Sequence, residues 1–233
     1  MEERPFLVLV CFVWLLALTV ILVRCDMRRH LGRIGVLALP FAFTESMFCP
    51  AYWNPPFLLD LQCVIGFGIE DLFFVSGLGV AALGLPALVL NLSLKERGAS
   101  VDGQMFSGRF LMGLAVGAVL CLVFVIAVRT GWASIIAVLG LMTVSCLAVF
   151  CVRRDLIEVA LRCFVLGVVG YGGICVALEV AVPGVFARYW QMEKLSGILV
   201  AGVPMEELLY GGASFALACS LYPALFRLEW RKK

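Results

Sequence analysis

The stretch GVPMEELLYGG, Gly202 to Gly212, sets two adjacent glutamates, Glu206 and Glu207, in a run otherwise apolar enough to dissolve in lipid. Around it, 63% of the 233 residues are hydrophobic, 15% are charged and the mean hydropathy is +1.06. That balance excludes an ordinary soluble domain and describes an integral membrane protein, in which every carboxyl group needs a reason. The net charge of 18 − 16 = +2 is spread along the chain, so no nucleic-acid partner is expected.

Apolar runs lie at about 5–23, 34–49, 68–92, 110–128, 132–152, 157–182 and 197–226. Seven crossings send the loops to alternate sides, which places fourteen Lys and Arg residues on one side and only Arg4, Arg129, Arg188 and Lys194 on the other. The positive-inside rule then orients the N-terminus outside and the C-terminus in the cytoplasm, with a bacterial inner (cell) membrane as the expected location. The first run lacks a basic leader and a small-residue cleavage site, so it reads as a retained span. Ten scattered cysteines without a C-x-x-C are packing residues, and the single histidine, His30, lies in an Arg-rich loop. No metal and no cofactor is expected.

The motif has a partner earlier in the chain. GIEDLFF (Gly68 to Phe74) corresponds to PMEELLY (Pro204 to Tyr210), at an offset of 204 − 68 = 136. AYW (Ala51 to Trp53) corresponds to RYW (Arg188 to Trp190), and VRCD (Val23 to Asp26) to VRRD (Val152 to Asp155). The acids Glu45 and Glu179 stand five and four residues before Pro50 and Pro183. Four matches in one order, at offsets between 129 and 137, predict a duplicated three-span unit. The expected fold is all-α integral membrane: seven transmembrane helices as two parallel three-helix repeats joined by a linker helix. Residues 1–95 form the first repeat, 96–130 the linker loop and fourth span, and 131–233 the second repeat.

Six membrane acids follow: Glu45, Glu70, Asp71, Glu179, Glu206 and Glu207. Each charged group at the bilayer centre costs roughly 2.5–3.5 kcal/mol on insertion scales. At least one carboxyl of each adjacent pair is expected to be protonated near neutral pH, since burial and a like neighbour both disfavour the charge. A neutral carboxyl is a candidate acid and an ionised neighbour a candidate base. Helical spacing sets Phe74 over Glu70 and Tyr210 over Glu206, an arrangement suited to a cation formed by protonation and stabilised by a π face.

At these motifs the chain resembles the membrane-embedded lycopene cyclase family, whose signature is a Pro-x-Glu-Glu or Glu-Asp motif followed by aromatics and preceded by a Trp-containing loop, once in each half. PMEELLY fits in full, while GIEDLFF has Gly68 in place of the proline. The resemblance implies cyclisation of the linear ends of lycopene or a related carotenoid. Protonation of the terminal alkene gives a tertiary cation, the neighbouring double bond closes a six-membered ring, and proton loss sets the ring double bond, with no net redox change. It assigns Glu70, Asp71, Glu206 and Glu207 as acid and base candidates; Glu45 and Glu179 join them through the repeat. Trp53, Phe73, Phe74, Trp190 and Tyr210 are the expected substrate-binding aromatics.

Other seven-span chemistries fail on residues. A retinal Schiff base needs a lysine in the last span, and none lies between Lys194 and Lys232. A glutamate-plus-histidine intramembrane protease needs more than His30, and GLGVAALG (Gly77 to Gly84) has the wrong spacing for a dinucleotide fingerprint. A small proton-coupled transporter remains as the alternative, marked by broken helices and a water-filled path. A cyclase requires an apolar, lipid-open cleft between the third and seventh spans.

Overall fold

The computed structural model describes residues 4–59, 61–97, 108–131 and 133–233. The part of the expected linker at 98–107 lies outside the described residues. Helix α1 (Pro5–Val23) starts on a proline, whose missing N–H costs nothing in a first turn. A single 3-10 turn (Cys25–Met27) leads into α2 (Arg28–Ala38), which tightens into a nine-residue 3-10 helix, Leu39–Met47. Pro40 explains the break, because its ring crowds the carbonyl four residues back and offers no N–H for the α ladder. The second apolar run is therefore not one regular span.

After the short α3 (Gln62–Ile65) come α4 (Ile69–Val89) and strand β1 (Leu92–Glu96). Next are α5 (Gly108–Arg129), α6 (Ser134–Val152), a 3-10 turn (Arg154–Leu156), α7 (Ile157–Ala181) and α8 (Val185–Tyr189). A 3-10 turn at Met192–Lys194 precedes a small hairpin, β2 (Leu199–Val200) and β3 (Val203–Pro204), which turns on Ala201 and Gly202, both at positive φ. It delivers the chain into α9 (Met205–Phe226) and β4 (Leu228–Lys232). Among the described residues, six helices are long and apolar enough to cross a membrane, where seven crossings were expected; the segment at Arg28–Met47 is the one that does not qualify.

Helices α4 and α9 stand at the centre. Helix α4 packs on α1, α2 and α9, and α9 packs on α7, α6 and α4. Small residues set how closely they approach, as in membrane bundles, where packing replaces the hydrophobic drive. A Cβ on Gly167 would lie 2.5 Å from the Gly211 carbonyl oxygen and 2.8 Å from Phe215 Cβ. Since backbone cannot give way as a side-chain tip can, Gly167→Ala is expected to destabilise the bundle by about 1–3 kcal/mol. Thermal denaturation in detergent tests this, and an unchanged midpoint would contradict the close α7–α9 contact.

Strand pairing brings the ends of the two central helices together. Strand β1 pairs antiparallel with β4, Leu92 opposite Lys232, just beyond the C-termini of α4 and α9. At the other ends the loops carrying the two Tyr-Trp dipeptides meet in a bridge between Trp53 and Trp190. Helices α4 and α9 therefore run in the same direction.

Buried Arg24 donates to the carbonyls of Ala87 and Leu92 and pairs with Asp26 at 2.8 Å. Arg153 likewise donates to the Leu228 carbonyl and pairs with Asp155 at 2.8 Å. Hydrogen bonding to Arg24 holds the Asp26 carboxyl well below the usual carboxylate range. A depressed folded-state pKa contributes stability above the unfolded value of about 3.9, lost as pH falls through the folded one. Stability of the native chain is thus expected to decline below about pH 4, and the Asp26→Asn protein should show a flatter acid limb in pH-dependent melts.

Candidate active site

The first turns of α4 and α9 present the two acidic motifs at neighbouring positions, but the paired acids do different work. Glu70 accepts a hydrogen bond from the Leu58 backbone N–H, and Glu206 Oε1 accepts one from Ser196 N at 2.6 Å. The first acid of each motif is thus tied back to the preceding loop. Glu179 is also a loop tie, accepting from Gly184 N at 2.7 Å. The second oxygens of Glu70, Glu179 and Glu206 are buried without a hydrogen-bond partner.

The second acids face inward. Glu207, at 5% exposure, accepts from Tyr52 Oη at 2.7 Å, Trp190 Nε1 at 2.9 Å and Tyr171 Oη at 3.0 Å. Asp71 Oδ2 accepts from the Gly68 N–H at 2.6 Å, closing the helix start. Glu45, carried in by the 3-10 helix that follows α2, accepts from Trp53 Nε1 at 2.7 Å. The Trp53 and Trp190 rings sit 5.1 Å apart, so each tryptophan holds one carboxyl and packs on the other tryptophan.

Glu45, Asp71 and Glu207 line one cavity of about 210 Å³ with Trp53, Phe74, Trp190 and Tyr210. Seven of the eleven candidates from the sequence are therefore assembled there. Glu70, Glu179 and Glu206 are not in its lining, and Phe73 is half exposed with its carbonyl accepting from Trp14 Nε1. Phe74 and Tyr210 share the cavity face with the acids three residues before them, Asp71 and Glu207, because Glu70 and Glu206 turn out to the loops.

Sequence reasoning missed Tyr52 and Tyr171. Tyr52 had a signal, since it is the first residue of a Tyr-Trp pair that recurs in both loops; Tyr171 is a lone hydroxyl amid glycines in an apolar helix and has none.

Away from the acids the cavity runs as a groove between α4 and α9, closed on further sides by α2, α5 and α6. Its lining on α9 extends from Glu207 to Leu225, 225 − 207 = 18 residues, or about 27 Å of helix at 1.5 Å per residue. Beyond Val75 on α4 and Ser214 on α9, those two helices line it with apolar side chains, apart from Tyr222 near the far end. This is a long apolar slot with carboxyls, indoles and phenols gathered at one end.

No curated protein and no solved structure matches the chain. Residues 132–225, which contain Tyr171, Trp190 and the whole PMEELLY motif, match the family model described as Lycopene cyclase. Over this segment, 225 − 132 + 1 = 94 of the 233 residues, the chain is similar to the lycopene cyclase family.

Proposed function

We propose that the protein closes the linear ends of lycopene or a related acyclic carotenoid by adding and removing a proton, with no net redox change, at one site between α4 and α9. The observation that carries this reading is the shape and chemistry of the cavity: carboxyls among aromatic rings at one end of an apolar groove about 27 Å long. A rod-like polyene lies along such a groove with its terminal alkene among the carboxyls. The rest of the chain, being hydrocarbon, asks for no polar partner.

Hydrogen bonding divides the roles. A carboxylate is an acceptor only, so Glu207, ringed by three donors, is built to receive a proton. Glu45 has one donor, from Trp53, and keeps its own proton to give. Glu45 protonates the terminal double bond; the cation that forms faces Tyr210, Phe74 and the two indoles, whose π faces stabilise it. Ring closure follows, and Glu207 takes the proton that restores a double bond. The two carboxyls then hold exchanged protonation states, so one proton must pass back between them before the next turnover.

The same reading includes seven crossings and two parallel repeats, 1–95 and 131–233, joined through 96–130. Eleven α-helical and nine 3-10 residues from Arg28 to Met47 extend about 34 Å, enough for a hydrocarbon layer of about 30 Å. The matched Arg24 and Arg153 ties to β1 and β4 support the duplication. The fourteen-to-four charge asymmetry supports a cytoplasmic C-terminus.

The break at Leu39 is a feature of proton-coupled carriers too. An apolar groove, however, offers a hydrated solute nothing to bind. Expression in cells that accumulate lycopene tests the reading by pigment analysis: cyclic carotenoid is the expected product. Unchanged lycopene beside folded protein, or proton-coupled solute uptake in liposomes, overturns it.

A further inference from the structure

Helices α4 and α9 begin alike and diverge at one atom. Their cap residues, Gly68 and Pro204, are both extended, at φ −91° and −58°, and the third helical residue is acidic in each, Asp71 and Glu207. Asp71 folds back onto the Gly68 N–H at 2.6 Å. A glutamate at this third position ordinarily does the same, closing a capping box on the backbone N–H of the cap residue. Proline has no such N–H. Glu207 extends instead to Tyr52, Tyr171 and Trp190 in the cavity. Glu206 cannot take its place there, being held by Ser196 N.

We infer that Pro204 is a positioning residue that acts by subtraction: by withholding a backbone donor it keeps Glu207 out of a helix cap and in the cavity, while Gly68 retains Asp71 as a cap. The two motifs are thereby specialised: Glu207 of the second is left to exchange protons with substrate, while Asp71 of the first holds its helix start and Glu45 acts for the first half. This rests on the cyclase reading for its consequence in catalysis, though not for the geometry.

Pro204→Ala restores the N–H; an alanine α-hydroxy acid at 204, introduced by nonsense suppression, keeps the same side chain but puts an ester oxygen where the N–H would be. With one cap set against three cavity donors, Pro204→Ala is expected to lower cyclised product about two- to fivefold, and the hydroxy acid to restore it. Combined with Tyr171→Phe, which removes one donor, the loss should exceed the product of the single effects by about tenfold.

An activity-independent reading comes from 3-fluorotyrosine at position 171 of the full chain in nanodiscs. Its 19F resonance should move in the alanine protein and stay in place in the hydroxy-acid protein. Equal behaviour of the two overturns the inference, since rigidity would then be the cause, as does an unmoved resonance with additive losses. Pro204→Gly, copying the first half, replaces alanine if that protein does not fold. Expected resonance shifts in a chain that leaves lycopene unchanged would remove the cyclase reading and keep this one.

Discussion

Glu207→Gln is expected to lower the yield of cyclic carotenoid per folded protein by about 100-fold or more, the usual scale for losing a positioned acid or base. The carboxamide oxygen still accepts from Tyr52 and Trp190, whose donors lie 2.7 and 2.9 Å from Glu207 Oε1. Its NH2 group then faces Tyr171, whose hydroxyl can rotate to accept. Packing survives, so a loss of activity reports chemistry. Glu206→Gln and Glu70→Gln form the contrast: each carboxamide oxygen keeps its tie to Ser196 N or Leu58 N, and activity should stay within about tenfold. Pigment chromatography normalised to protein amount decides it. The reverse order, with Glu206→Gln inactive and Glu207→Gln active, would sink the assignment.

Glu45→Gln carries the second large effect, again about 100-fold or more, since the carboxamide keeps the Trp53 hydrogen bond but has no acidic proton to give. This acid lies outside residues 132–225, so its loss also tests whether the first half serves the reaction in the second. Solvent deuterium sharpens it: deuterium from heavy water should enter the ring of the wild-type product. A Glu45→Gln protein with undiminished activity and normal label would leave Glu207 alone as both acid and base.

Much of this was legible along the chain. The apolar runs located α1, α4, α5, α6 and α7 within a few residues, and the end of α9, whose start lies eight residues inside the run because the β2–β3 hairpin is apolar too; membrane insertion demands uninterrupted apolar length, and that is a one-dimensional property. The second run misled for a local reason, Pro40, which caps the length of any α-helix through it without altering hydropathy. The acidic motifs and the Tyr-Trp dipeptides stood out for the opposite reason, as polar groups in lipid that composition alone cannot excuse.

Which acids meet was not legible. Glu206 and Glu207 are neighbours of identical type, and only the fold determines that a backbone N–H of the preceding loop reaches one while Tyr52, Tyr171 and Trp190 reach the other. Those four partners lie between 10 and 155 residues away in the chain, so no local spacing predicts them. By itself the sequence determined a membrane bundle with carboxyls in two matched motifs, through hydropathy and recurrence. The tertiary structure alone decided that Glu45 and Glu207 line one cavity, because hydrogen-bond partners are chosen by where helices converge, and convergence depends on packing across the whole chain.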